Sequence, residues 1–469
     1  MKRLSTACLV LLLAGCATYT ARPINPGAQQ TALESRRLDA PGVRQFFERS
    51  LGHDTAWPPA SWDLDTLTLA AFYYHPDLDQ AQARRLAAEA AIVTAGGRPN
   101  PTAGLSFQRN MDAAAGQSPW TYGLGLTIPI ETAGKRDYRI ETAQRLAQAA
   151  RLREAEMVWQ VRSRVRAGLL AAYPTEALVR RQRDLQAEIT RMLERRFAVG
   201  YASQPELTQA RLALNQAMLA LRQNQKQTAE NRARLAAAIG VPAAAIDGTA
   251  ISFEAFGQLP PSAALPPAEA RRQALLSRPD VLAALAEYEA SQSALQLEIA
   301  RQYPDISLGP GYLWDAGQAK WSLGLSLVLP LLNRNEGPIA EAKARREEAA
   351  AAFLAVQARA IAEVDEALAG YGRAIQMFET ADALLQDQQK NTRAAASAFK
   401  AGEADRLAWQ SAQYQTVTAE LARIGAWVQA QQSLGRLEDA LRRPIGANTL
   451  AVTAQQVIES KSHRDGERP

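Results

Sequence analysis

Large apolar residues alternate with small or polar residues along two segments of the sequence, 120–129 and 321–330. A period of two is typical of an extended strand with one apolar face, and a strand of a soluble sandwich can show the same pattern. Each segment also has the length of ~9–11 residues that a tilted strand needs to cross a bilayer. We therefore predict transmembrane strands whose lipid-facing side chains are Trp120, Tyr122, Leu124, Leu126, Trp321, Leu323, Leu325 and Leu327.

A second predicted strand precedes each of these strands, and a long helical pattern follows each hairpin. Polar residues between the alternating segments indicate hairpin loops at 110–119 and 315–320. The predicted elements are strands at 102–109, 120–129, 305–314 and 321–330, and long helices within 133–240 and 338–443.

The long helical segments keep a heptad period, as at Leu207 and Leu221, which indicates helices that supercoil against their neighbours. Pro174 interrupts the first of them and is expected to kink that helix or to split it in two. Gly370 and Gly372 lie near the corresponding place in the second half of the chain.

The two halves of the chain repeat the same order of elements. Trp120 and Trp321 are 201 positions apart, and Gly200 and Gly402 are 202 positions apart. A constant offset over this distance is the mark of an internal duplication. The sequence thus predicts two copies of a helix–strand–strand–helix–helix unit, at 64–241 and 268–445.

Less regular segments flank and join the two repeats. Residues 16–63 are polar and contain proline, and we interpret them as an N-terminal linker and loop. Residues 242–267 are rich in proline and predict a linker on the outside of the molecule. Residues 446–469 are increasingly polar and predict a disordered C-terminal tail.

The N-terminal residues have the features of a secretory leader. Lys2 and Arg3 precede an apolar run, and Leu13-Ala14-Gly15-Cys16 resembles the cleavage box of bacterial lipoproteins. This predicts a signal peptide at 1–15 and a mature chain that begins with a lipid-acylated Cys16; ordinary secretory cleavage with an incidental Cys16 is the alternative. By resemblance to lipoprotein sorting in enteric bacteria, Ala17 favours the outer membrane.

Composition excludes several classes of function. The net charge of +5 falls to +3 when Lys2 and Arg3 leave with the leader, which is too small and dispersed for a nucleic-acid-binding protein. After the leader no run of 18 or more apolar residues is present, so membrane contact by the mature chain is expected through strands, lipid or both.

Four strands are too few to close a barrel. Open strand edges in lipid would leave backbone amides and carbonyls unpaired, at several kcal/mol each. The strands must then pair with those of other copies, which predicts a homo-oligomeric barrel with a polar lumen and a strand number that is a multiple of four. Helices too long for a compact domain would extend this tube into a conduit.

From about residue 64 to residue 445 the sequence resembles the TolC-like family of outer-membrane efflux proteins. The segments LPLLNRNEGPIAEAKAR at 329–345 and ETAGKRDYRIETA in the first repeat resemble its cobalt–zinc–cadmium (CzcC-like) subgroup. The resemblance implies a mainly α-helical homotrimer with a 12-stranded transmembrane β-barrel in the cell outer membrane and a helical barrel in the periplasm. It also implies an exit duct of a tripartite, RND-type efflux system that docks to a periplasmic adaptor and an inner-membrane pump and exports heavy-metal cations.

The same resemblance assigns the two helix–helix turns, 196–200 and 398–402, to a periplasmic tip that contacts the adaptor. A glycine just past a helix end permits a left-handed cap, so a plain hairpin turn with no partner is the alternative. The two turns are of unequal length. The candidate contact residues are Arg196, Val199, Gly200, Tyr201, Leu207, Lys400, Gly402 and Leu407.

Two acids beside the second turn, Glu403 and Asp405, are candidates for a ring of carboxylates that narrows the duct. A solvated helix start, where Asp is favoured by the helix dipole, explains them equally well.

Residues for enzymatic chemistry are scarce. His53, His75 and His463 are the three histidines, and their spacing fits no metal site. With Cys16 acylated, the mature chain keeps no free thiol, and no phosphate-binding loop is present. We expect no enzymatic activity, no metal site and no cofactor beyond the lipid on Cys16. The remaining alternatives are a multidrug or type I secretion duct, or a periplasmic coiled-coil structural lipoprotein without a pore.

Overall fold

The computed structural model describes residues 19–51, 56–112, 116–261 and 267–445. The predicted leader, Cys16, His53, His463 and the tail at 446–469 lie outside these residues. The elements in chain order are α1 (Pro26–Glu34), α2 (Pro41–Leu51), α3 (Leu64–Tyr74), α4 (Pro76–Gly96), β1 (Thr102–Arg109), β2 (Trp120–Ile130), α5 (Lys135–Ala171), α6 (Glu176–Ala198), α7 (Gln204–Ile239), α8 (Pro267–Ser277), α9 (Pro279–Ala300), β3 (Ile306–Asp315), β4 (Gln318–Leu327), α10 (Glu336–Ala401) and α11 (Arg406–Leu441).

The duplication is visible in individual contacts. The Thr190 hydroxyl donates to the carbonyl of Ala210 at 3.1 Å, and the Thr392 hydroxyl donates to the carbonyl of Ala412 at 3.0 Å. These two bonds are 202 residues apart in the chain and join the same two helices in each repeat, α6 to α7 and α10 to α11. A hydroxyl reaches a neighbouring backbone only when helices pack closely, which alanine at the contact allows.

Pro174 splits the first long helix. Helix α5 ends at Ala171 and α6 starts at Glu176. Proline has no amide hydrogen and its ring clashes with the preceding turn, so the helix cannot continue through it. In the second repeat α10 runs unbroken for 66 residues, past Gly370 and Gly372. Glycine weakens a helix by only ~1 kcal/mol, which the packing of α10 against α9 and α11 offsets.

The four strands form one antiparallel sheet in the order β1-β2-β3-β4. The predicted loop at 315–320 is wrong. The structure has a two-residue turn at Ala316-Gly317, both with positive φ, so β4 starts three residues earlier than predicted and ends at Leu327 rather than at Pro330. A turn with positive φ at both central residues matches the twist of a tight hairpin.

The interpretation of 16–63 as linker and loop is wrong at 26–34 and 41–51, which form the helices α1 and α2. Helix α2 buries Val43, Phe46 and Phe47 in the main core, where Phe47 meets the ring of Trp62 edge-on. Helices of about ten residues offer too few turns for a clear period, and prolines at their N-termini look like loop signals although proline is favoured there.

In the proline-rich segment 242–267, the described residues 242–261 also differ from the predicted outer linker. Ile246 and Phe256, each in a short 3₁₀ turn, are buried in the same core as α2. The backbone of Ser252 donates to the carbonyl of Trp62 at 2.9 Å, which ties the segment to the start of α3. The β-bridge between Trp62 and Ile251 and the single 3₁₀ turns are too short to give a periodic sequence pattern.

Within the described part of the chain, none of the helices combines the length and the apolar character that crossing a membrane requires.

Candidate functional sites: the exposed sheet and the helical tips

One face of the sheet is apolar across all four strands. Opposite residues of antiparallel neighbours share a face, and Leu105 lies opposite Leu124, Leu124 opposite Tyr312, and Tyr312 opposite Trp321. The predicted lipid-facing residues of β2 and β4 therefore lie together on this face, and their side chains are exposed.

The sequence reasoning missed the contribution of β3 to this apolar face. Its members are Ile306, Leu308, Tyr312 and Trp314, each opposite an apolar residue of β4 or β2. Gly309-Pro310-Gly311 interrupts their alternation, so the strand gives a weaker period than its neighbours. The apolar-face residues of β3 are identified by their partners on β4, such as Trp321 and Leu325. These partners are known only once the strand register is known.

Apart from Leu313, which lies opposite Gly123 and Lys320, the residues on the opposite face of the sheet are small or polar. Thr121 donates to Asp315 at 2.9 Å and Lys320 donates to Asp315 at 2.8 Å, which joins β2, β3 and β4. Gly123 belongs to this face, and a Cβ atom there would lie 2.3 Å from the hydroxyl of Ser106. Small residues thus let the strands approach closely at this position of the face.

The two helix–helix turns end their first helices in the same way. The amide of Tyr201 donates to the carbonyl of Arg196 at 2.8 Å, and the amide of Glu403 donates to the carbonyl of Ala398 at 2.9 Å. Gly200 and Gly402 both have φ of +77°. This is the left-handed C-cap expected after a helix end. The connection comprises residues 199–203 in the first repeat and 402–405 in the second, so the turns are unequal as predicted.

An ion pair joins the two turns. Arg196, at the end of α6, donates to Asp405 at 2.6 Å although the two residues are 209 positions apart. Asp405 is also the N-cap of α11 and accepts from the amide of Ala408 at 2.8 Å. The hydrogen bond from Arg196, together with that from the amide, lowers the pKa of the Asp405 carboxyl below its ordinary value. Nearby, Arg406 pairs with Glu188 at 2.7 Å.

The candidate tip residues fall into two groups. Val199, Gly200, Tyr201, Lys400 and Gly402 are exposed, and Tyr201 is 85% exposed. Arg196 and Leu407 are half-buried.

The assignment of Leu207 to adaptor contact needs correction. Leu207 is 3% exposed and belongs to the buried heptad stripe of α7, so it supports the turn and offers no surface. An aromatic pair that the sequence reasoning missed supports the second turn, with Phe399 stacked on Trp409 at 5.3 Å.

The two aperture candidates differ. Glu403 is exposed, whereas the carboxylate of Asp405 is held by Arg196 and by the start of α11. The helix-start explanation therefore accounts for Asp405 in this structure.

Asp405→Ala is expected to loosen the second turn, because the change removes both the cap of α11 and the link to Arg196. An N-cap of this kind contributes ~1 kcal/mol and an exposed ion pair less. Amide hydrogen exchange at 406–409 should therefore rise severalfold. Glu403→Ala, two residues away, is the matched control and should leave exchange unchanged; equal protection in both variants would contradict the capping role. Because the pKa of Asp405 is lowered, the link should persist on acidification until pH falls below the ordinary Asp range of about 4.

Potential ligands for metal are dispersed. His75 is buried and caps α4 by accepting the amide of Asp77 at 3.2 Å. Across the residues that the structure describes, no three His, Cys, Asp or Glu side chains gather as a metal site would require.

Comparison with known proteins gives one family. The model of the family described as "Outer membrane efflux protein" matches residues 71–241 and 270–441. The chain is 28% identical over 235 residues to the cobalt-zinc-cadmium resistance protein CzcC of Cupriavidus metallidurans, a match that covers 49% of this chain and 55% of that protein. It is 25% identical over 474 residues to the pyoverdine export outer membrane protein OpmQ of Pseudomonas aeruginosa, covering 93% and 97%.

The fold is also that of solved outer membrane proteins. The crystal structure of the outer membrane protein VceC from Vibrio cholerae superposes with a TM-score of 0.63 at 19% identity, covering 82% of this chain and 97% of that one.

Proposed function

The chain belongs to the outer membrane efflux protein family, and from that premise we propose that it forms the passive outer-membrane duct of a tripartite efflux system. The observation that carries the proposal is the sheet. One face is apolar across four strands and exposed on β1, β2 and β4, and the other is small or polar apart from Leu313. The outer strands β1 and β4 each have one neighbour among the described strands. Such a sheet fits one third of a 12-stranded barrel in a homotrimer, with lipid outside and water inside.

The helices supply the second part of the proposal. Helix α10 alone has 66 residues and would reach ~100 Å at ~1.5 Å per residue. A tube of this length places the two turns far from the sheet, where a periplasmic adaptor linked to an inner-membrane pump can meet the exposed residues Val199, Tyr201 and Lys400. The duct itself supplies a path, and the energy for transport comes from the pump.

For the exported substrate we propose heavy-metal cations. Support comes from the resemblance of residues 329–345 to the cobalt–zinc–cadmium subgroup and from the similarity to CzcC. The segment also has a structural role, because Asn335, with φ of +62°, donates to the carbonyl of Glu298 at 2.7 Å and starts α10. Specificity would then lie in the pump that feeds the duct.

The test of the duct is electrical. The purified protein in planar bilayers should give stepwise ion conductance, whereas a coiled-coil lipoprotein without a pore would give none. A deletion strain tests the substrate: sensitivity to cobalt, zinc and cadmium is expected, and sensitivity only to dyes and detergents would assign the duct to a multidrug pump.

A further inference from the structure

The segment that follows β4 is unusual for its exposed apolar side chains. Leu329 is 61% exposed and Leu331 is 76% exposed, and Val328 and Leu332 are exposed as well. The backbone here is outside the sheet, and the amide of Leu331 donates to the carbonyl of Leu329 only two residues back, at 2.9 Å. Such a local bond is common where a strand ends without a partner.

The first repeat shows what the corresponding segment does when a partner strand is present. Strand β2 continues to Ile130 because Ile128 lies opposite Leu308 and Ile130 lies opposite Ile306 of β3. Pairing of β2 with β1 ends earlier, at Thr127. The last three residues of β2 are therefore held by β3 alone.

The internal repeat relates these strands by fixed offsets. Trp120 lies opposite Arg109 in the first hairpin, and Trp321 lies opposite Tyr312 in the second. Residues of β2 thus correspond to residues of β4 at a distance of 201, and residues of β1 correspond to residues of β3 at a distance of 203. By these offsets Ile128 corresponds to Leu329, and Leu308 corresponds to Leu105.

We infer that residues 328–331 extend β4 by pairing with β1 of a second copy of this chain, in the register that places Leu329 opposite Leu105 and Leu331 opposite Ala103. Pro330 then lies opposite Gly104, as Pro129 lies opposite Ser307 within the chain. The inference rests on the proposed barrel and adds the register of its joints between copies.

Three observations favour β1 of a second copy, rather than lipid alone, as the partner of residues 328–331. The register keeps the faces in order, since Leu329 and Leu105 both belong to the apolar face and Val328 would meet Ser106 on the other. β1 and β4 are the outer strands of the described sheet, so each has an edge to offer. Pro129 and Pro330 occupy corresponding positions of the two repeats. Proline has no backbone N–H, so in a sheet it must lie where its neighbour needs no hydrogen-bond donor.

Disulfide formation between copies tests the register. Leu105→Cys with Leu329→Cys, and Ser106→Cys with Val328→Cys on the opposite face, are the two matched pairs, each in the full chain. Opposite residues have Cα atoms ~4.5–5.5 Å apart, within disulfide range, whereas residues displaced by two lie ~7–8 Å apart. Both matched pairs should therefore give roughly tenfold more crosslinked product on non-reducing gels than the shifted pairs that combine Leu105→Cys with Leu327→Cys or with Leu331→Cys.

The possible outcomes distinguish a failure of the proposed strand register from a failure of the proposed duct function. Crosslinking of a shifted pair in place of the matched pairs, or an intact oligomer with no crosslink at any pair, would overturn the register and leave the duct. A monomer with no crosslink would overturn both. The parent chain, with its native cysteines only, gives the background, and single-cysteine variants show whether each change permits assembly.

Discussion

Leu325→Asp is expected to reduce the amount of oligomer in the outer membrane at least tenfold, whereas Ser326→Asp leaves it near the parental level. Leu325 lies on the apolar face opposite Leu308, and the next residue, Ser326, lies on the polar face opposite Ser307. A charged side chain on the lipid face of a barrel costs on the order of 2 kcal/mol, and a homotrimer would carry three. The same charge inside the lumen stays in water.

The measurement is the fraction of protein in outer-membrane preparations that migrates as an oligomer without heating. The two substitutions introduce the same side chain at adjacent positions, so strand propensity and net charge are matched and facing is the variable. Leu126→Asp is expected to repeat the effect of Leu325→Asp in the first repeat. Equal loss in Leu325→Asp and Ser326→Asp would contradict the assignment of the faces.

Arg278→Ala is expected to destabilise the helical region by about 3 kcal/mol, because it removes the buried cation that pairs with two acids, although Asp280 keeps Arg442 at the longer distance of 4.0 Å. Arg278 is 1% exposed and joins three helices. It pairs with Asp280 at 2.6 Å and with Glu363 at 2.6 Å, and donates to the carbonyl of Ala440 at 3.0 Å. The value lies at the low end for broken buried pairs since the side chain of Glu363 is more than a third exposed.

The destabilisation should depend on pH. Burial alone would raise the pKa of the Asp280 carboxyl, but the hydrogen bonds and charge of Arg278, together with the charge of Arg442 and the amide of Val281, hold that pKa below its ordinary value. This pair therefore stabilises the parent above the unfolded Asp pKa of about 3.9 and loses its contribution as pH falls through the lower folded pKa. In the variant Asp280 keeps the charge of Arg442, 4.0 Å away, and the hydrogen bond from the amide of Val281, but its pKa is higher than in the parent because Arg278 is gone. The difference in melting temperature from the parent should therefore persist at neutral pH and shrink as pH falls below about 4.

Thermal unfolding followed by helical circular dichroism in detergent measures both effects. Arg271→Ala is the matched control. Arg271, on α8, pairs at 2.6 Å with Asp365, which lies on α10 as Glu363 does, but both side chains of this pair are exposed. Little change in melting temperature is expected there. A similar loss in both variants, or a loss in Arg278→Ala that does not vary with pH, would contradict the role of burial.

The sequence by itself determined the features that repeat along the chain. Alternation at Trp120 and Trp321 assigned their side chains to one face of a strand, because successive side chains of a strand point to opposite faces regardless of what surrounds it. Gly200 and Gly402 marked the two turns, since a left-handed cap favours glycine wherever it occurs. The family resemblance followed from residues 64–445 and from the motifs at 329–345 and 131–143.

The tertiary structure alone decided which distant residues meet. The pair of Arg196 with Asp405 spans 209 positions, and the burial of Arg278, Phe46 and Phe256 depends on which helix ends come together. None of these residues belongs to a periodic pattern, so local sequence carries no sign of its partner. Periodicity reports the backbone conformation of a segment, whereas a long-range contact depends on the path of the whole chain.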